Sequence, residues 1–216
     1  MPVTRCSAFQ AITTFRFMTC FVASSRRSHG IGVSLTTISV RSWNCRESQS
    51  LVFNTARSLT FKDGRIGQDQ VAFIRETFSR APREAFRILV THHPLFALEV
   101  AGETVPAIGR QELALDAIQE AGVDMLLAGH NHHASSHSAS DLVTRAEGAL
   151  VVQAGTATST RVREQEQSFN CIDVADAWVT IIINSRTDDH FAPSDEQRYS
   201  WEEGKWRIVP TAEPAH

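Results

Sequence analysis

From Met1 to Arg46 the chain contains no aspartate, no glutamate and no lysine. The only formal charges there are arginines: Arg5, Arg16, Arg26, Arg27, Arg41 and Arg46. Serine and threonine are abundant, and three of the four cysteines (Cys6, Cys20 and Cys45) fall in this stretch. From Glu47 onward the composition is that of an ordinary globular protein. Other absences narrow the class. The four cysteines, Cys171 being the last, include no CxxC pair. That excludes a zinc ribbon or a disulfide framework and fits a reducing, cytoplasmic setting. No apolar run approaches the ~20 residues of a membrane span, so no membrane partner is expected. A net charge of -3 and a pI near 6.3 give no electrostatic footprint for nucleic acid.

What is present is enough for one domain: 216 residues, 42% of them hydrophobic. Leu51 to Thr55 reads as a short buried strand. Gln68 to Arg80 reads as a helix with Val71, Ile74 and Phe78 on one face, stopped by Ala81-Pro82. Phe86 to Val90 is a strand running into Thr91-His92-His93-Pro94, where proline removes a ladder donor. A second helix spans Gln111 to Ala121, with Leu113, Ala117, Ile118 and Ala121 at helical spacing and Gly122 as its stop. Met125 to Ala128 is a third strand, ending in Gly129-His130-Asn131-His132-His133. Alternating strands and helices predict an α/β core. After residue 148 the pattern turns all-β: a strand at Ala149–Ala154, a hairpin of Phe169–Val174 with Trp178–Asn184, and a tight hairpin at Trp201–Trp206 with Gly204 in its turn.

The chemistry-bearing residues are histidines placed after strands, at the edge where open α/β sheets bind ligands. His92 follows one strand; His130 and His132 follow the next. Neutral imidazole is the commonest side-chain metal ligand. His133, His137 and His190 read as exposed polar positions.

Ile88-Leu89-Val90-Thr91-His92-His93-Pro94 followed by Gly129-His130-Asn131-His132 resembles the last two metal motifs of the calcineurin-like metallophosphoesterases. Within that superfamily it looks closest to the bacterial branch containing class III cyclic-nucleotide phosphodiesterases. Gly64-Arg65-Ile66-Gly67-Gln68-Asp69-Gln70 resembles the turn-to-helix segment that precedes the His-His-Pro strand there. The resemblance covers roughly residues 50 to 185. It implies a partial metallophosphoesterase sandwich, two β-sheets flanked by helices, and hydrolysis of a small phosphorylated substrate, most plainly a phosphodiester. Carried over, His92 and His130 match ligands of the second metal and His132 a ligand of the first. The intact site would hold two divalent ions about 3.5–4 Å apart, and mixed nitrogen and oxygen donors suit Mn, Fe or Zn better than Ca. The segments Asn54–Arg57 and Leu95–Arg110 are candidate specificity loops, with Arg57 a candidate phosphate contact.

The chain departs from that family in what it lacks. The upstream Asp-x-His motif, the bridging Asp of a Gly-Asp pair and the Gly-Asn-His-Asp or Gly-Asn-His-Glu turn are all absent. Three neutral imidazoles cannot neutralise two dications, so a weak or singly occupied site is expected. Two readings compete for the acid-free start. Its composition is that of a mitochondrial transit peptide, and equally that of a segment read in the wrong frame. With synonymous third bases chosen to suit, reading Phe9 to Ser24 from the third base of the Phe9 codon gives Pro-Gly-Asn-His-Asp-Ile-Pro-Leu-Tyr-Asp-Val-Phe-Arg-Arg-Gln. The second and third bases of each shifted codon are fixed by the written sequence, and they fit throughout. The sequence therefore favours a frameshift, in a chain truncated before the first two motifs. The expected division is an anomalous segment at 1–49, the C-terminal part of a phosphoesterase domain at 50–209, and a tail at 210–216. The alternative is a non-catalytic remnant binding at most one metal.

Overall fold

The computed structural model describes residues 15–19, 38–41, 49–53, 65–81, 85–91, 93–100, 103–105, 108–129, 134–142, 146–157, 166–175 and 177–210. Two strands lie in the acid-free stretch, β1 (Phe15–Thr19) and β2 (Ile38–Arg41), and they pair antiparallel. Apart from these two strands, residues 1–48 lie outside the described residues. Phe-Arg-Phe-Met-Thr and Ile-Ser-Val-Arg are rich in aromatic and β-branched residues, which favour extended backbone whatever their origin.

The α/β part then begins. β3 (Gln49–Phe53) is followed by α1 (Gln68–Ser79) and β4 (Arg87–Thr91). A small antiparallel hairpin, β5 (Leu98–Val100) with β6 (Glu103–Val105), leads to α2 (Gln111–Ala121) and β7 (Met125–Ala128). The Leu95–Arg110 segment read as a loop therefore carries that hairpin, and its ends are anchored by buried Leu95, Phe96 and Ile108. β8 (Ser135–Ser138), the short α3 (Ala139–Leu142) and β9 (Leu150–Gln153) complete a five-stranded sheet in the order β3-β4-β7-β9-β8. β3, β4, β7 and β9 run parallel, and β8 is the antiparallel edge.

The helix boundaries follow from local chemistry. At the start of α1 the Gly67 N–H donates to the side-chain oxygen of Gln70 at 2.8 Å, and Asp69 sits in the first turn where negative charge suits the helix dipole. α2 ends at Gly122 with φ 61°. The Val123 N–H bonds the Ile118 carbonyl and the Gly122 N–H bonds that of Gln119, the paired bonds of a left-handed C-terminal cap. Ala114, Leu115, Ala117 and Ile118 are buried, whereas Leu113, expected on the inner face, is 38% exposed. The reason is angular. Residues 114, 117, 118 and 121 form one stripe at 100° per residue, and position 113 falls outside it.

The second sheet is antiparallel. β10 (Ser168–Ala175), β11 (Trp178–Thr187), β12 (His190–Glu202) and β13 (Lys205–Val209) form a meander, and β10 also pairs with β1, giving the order β13-β12-β11-β10-β1-β2. The hairpin expected at Phe169–Asn184 is present, and so is the Trp201–Trp206 turn, where Glu203 and Gly204 both have positive φ. β12 is far longer than the sequence suggested. It admits Pro193 at a register shift opposite Ile183 and Asn184, where a bulge relieves the ladder of one donor.

The five-stranded sheet separates two apolar clusters. Leu89, Leu126 and Val151 point to α1 and α2, meeting Ile74, Phe78, Ala117 and Ile118. Their neighbours Ile88, Val90, Met125, Leu127, Leu150 and Val152 point the other way, meeting Ile172, Val174, Val179, Ile181, Tyr199 and Trp206 of the second sheet. This explains why the parallel strands read as unbroken apolar runs: both faces are covered. The protein is thus α/β with two packed sheets and a helical layer. No helix among the described residues is long and apolar enough to cross a membrane.

Candidate metal-binding edge

Four parallel strands bring their carboxyl ends to one edge. Phe53 lies in register with Thr91, Val90 with Leu127, and Ala128 with Gln153. His92 is the next residue after Thr91, and the His130-Asn131-His132 run follows Ala128-Gly129. His92, His130, His132 and Arg57 themselves lie outside the described residues, as do Asn131 and His133.

The backbone flanking position 92 is firmly held. The Thr91 hydroxyl, itself buried, donates to the His93 carbonyl at 2.8 Å. His93 is buried, and Leu95 and Phe96 beyond Pro94 are sealed into the helix-side cluster. His137, read from sequence as exposed, is half-buried in β8, where it lies in register with Val151 of β9. His190 is exposed, with Nδ1 3.3 Å from Asp189.

A buried carboxylate does occur, but at the other end of the sheet. Asp124 precedes β7 and accepts the Arg87 N–H at 2.7 Å, at the amino ends of both strands. Among the described residues no group of three or more His, Cys, Asp or Glu is arranged to hold a metal.

Sequence reasoning missed a polar group where β9 ends. The Asn170 side-chain N–H donates to the Gln153 carbonyl at 2.8 Å, and the Ala154 N–H donates to the Ala128 carbonyl at 2.8 Å, just before Gly129. Ser168 bonds the Thr156 carbonyl through its N–H at 2.9 Å. Asn170 and Ser168 are 0% and 2% exposed, and Asn170 Oδ1 and Ser168 Oγ have no hydrogen-bond partner. Lone polar residues in an alternating strand give no sequence pattern that would announce them. A second polar group bridges the sheets at the far edge. The Ser136 hydroxyl donates to Gln197 Oε1 at 2.5 Å, the Tyr199 hydroxyl donates to the same oxygen at 2.8 Å, and the two hydroxyls lie 3.0 Å apart. Burial pushes the Tyr199 phenol above its usual 10.0; the Ser136 hydrogen bond opposes this, and Asp141 and Asp195 add to it.

The donors expected of His92, His130 and His132 are neutral nitrogens, which suit one borderline dication of the Zn, Mn or Fe type and not a pair of ions, which needs carboxylate charge between them.

The chain matches no protein-family model and no curated protein sequence. Among solved structures it is similar to a purple acid phosphatase from yellow lupin (Lupinus luteus) seeds, with 17% identity over 70% of this chain and 30% of that one, at a TM-score of 0.47. It is similar to PhoD, with 10% identity over 68% of this chain and 35% of that one, TM-score 0.49. It is also similar to a conserved predicted phosphoesterase from Streptococcus pneumoniae, with 12% identity over 73% and 99% of the two chains, TM-score 0.34. The chain spans about a third of the length of the first two.

Proposed function

We propose that the chain is part of a metal-dependent phosphoester hydrolase of the calcineurin-like type, with His92, His130 and His132 as metal ligands and a phosphodiester as substrate class. The observation that carries this reading is positional. Two histidine motifs directly follow the carboxyl ends of β4 and β7, which are adjacent parallel strands. A bound dication would supply Lewis acidity to a phosphoryl oxygen and lower the pKa of a bound water. The residues of this chain would hold the ion and fix the edge: the Thr91 hydroxyl bonds the His93 carbonyl, and Asn170 ties down the end of β9 beside Ala128. Two of the similar solved structures are, by name, a phosphatase and a predicted phosphoesterase.

A second reading, a non-catalytic remnant that binds at most one metal, is favoured by a specific observation. The buried carboxylate Asp124 sits at the opposite edge, and no acidic residue precedes Glu47 in the sequence. One experiment separates the two. The full chain is loaded with manganese or zinc, its metal content is measured, and it is assayed with bis(p-nitrophenyl) phosphate beside His130→Ala. We expect about one ion per chain, lost in the variant, with hydrolysis slower by factors of ~100 to 1000 for each missing transition-state group. Metal content unchanged in His130→Ala would overturn the site. Rapid metal-dependent turnover abolished by His130→Ala would overturn the remnant reading.

A further inference from the structure

We propose that Ser168 Oγ and Asn170 Oδ1 hold a buried water molecule at the end of β9. Both oxygens are enclosed, and both lack a partner. They lie two residues apart on the same, inward face of β10, whose burial alternates strictly. Two residues of antiparallel strand span about 6.8 Å, and a water bridging two oxygens spans about 5.6 Å at ~2.8 Å for each bond. Side-chain reach closes the difference.

Water is the ligand that this chemistry selects. A carbonyl-type oxygen accepts only, and a hydroxyl donates or accepts; a water molecule can donate to both. No carboxylate is among the groups described at this point, so a cation lacks the charge that would hold it. Ser168 Oγ stands where a Cβ at Gly155 would lie, so the glycine lets the hydroxyl pack directly against the backbone. Another buried polar atom without a partner, Trp206 Nε1, differs in this respect. It lies among Phe86 and Trp201, which offer ring faces in place of a second polar atom, whereas a buried water needs two to four polar partners. Through Asn170 the water would be hydrogen-bonded to the group that fixes the Gln153 carbonyl, one strand away from Ala128. The inference does not depend on metal binding or on hydrolysis.

Two measurements on the full chain, kept free of metal with EDTA, test it. Ser168→Ala removes one of the two anchors. If the site holds water, the melting temperature should fall by about 2–4 °C; if the hydroxyl is dry, removing an unsatisfied group should raise it. In the wild-type chain, the Asn170 side-chain amide should show a nuclear Overhauser effect to a long-lived water. A melting temperature unchanged or raised in Ser168→Ala overturns the proposal, as does the absence of that water signal in the wild type. The second measurement needs no variant and decides the question even if Ser168→Ala does not fold.

Discussion

Asp124 and Arg87 are joined twice: the Asp124 carboxylate accepts the Arg87 N–H at 2.7 Å, and the Asp124 N–H donates to the Arg87 carbonyl at 2.9 Å. The Asp124 carbonyl in turn accepts the Leu150 N–H at 2.9 Å, so one residue sets the starting level of three parallel strands. Replacing Asp124 with alanine leaves the buried Arg87 N–H without its acceptor. The expected loss is about 1–3 kcal/mol of unfolding free energy, read from urea titrations. A loss below a few tenths of a kcal/mol would show that this carboxylate does not organise the sheet.

At the end of α2, Gly122 takes a left-handed conformation with φ 61°. An L side chain there meets the following carbonyl, at a cost of roughly 1–2 kcal/mol. Gly122→Ala should lower stability by that amount. Gly204→Ala, at φ 84° with open space around the added Cβ, should show the backbone cost alone. Thermal or urea melts of the two variants check both figures.

Tyr199 links stability to alkaline pH. Its folded-state pKa is raised, first by burial, above the usual 10.0. The unfolded chain therefore loses the phenolic proton first. The stability tied to the neutral phenol is fully present below pH 10 and is lost as pH rises from 10 through the folded value. Urea melts between pH 8 and pH 11 should fall more steeply for the wild type than for Tyr199→Phe. Parallel curves would remove Tyr199 from the account.

Leu89 is completely buried against the helices. Leu89→Ala is expected to cost about 2–5 kcal/mol, from lost transfer energy and the cavity left behind. The exposed Phe73→Ala on α1 should cost far less, and the comparison of the two midpoints is the check.

The elements that could be read from the sequence are those whose burial writes a periodic pattern. Val71, Ile74 and Phe78 mark α1, and the apolar runs at Ile88–Val90 and Met125–Leu127 mark strands covered on both sides. β8 escaped notice because Ser135, Ser136, His137 and Ser138 carry no apolar residue; its place comes from pairing with β9. The His190–Glu196 part of β12 escaped because it is largely exposed on both faces, so composition there records solvent rather than a core. At the candidate site, the histidine motifs stand out locally. Ser168 and Asn170 do not, since their meaning lies in contacts with Thr156 and Gln153, made only when the sheets close.

The five-stranded sheet also decides how the molecule opens. Alternate residues of β4, β7 and β9 belong to different clusters, one against the helices and one against the second sheet. Peeling away either layer leaves these strands still packed on the other, so their amides are released only when both layers fail together. Hydrogen exchange at Leu89, Leu126 and Val151 should therefore report global unfolding, while the doubly exposed end of the β11–β12 hairpin exchanges through local openings.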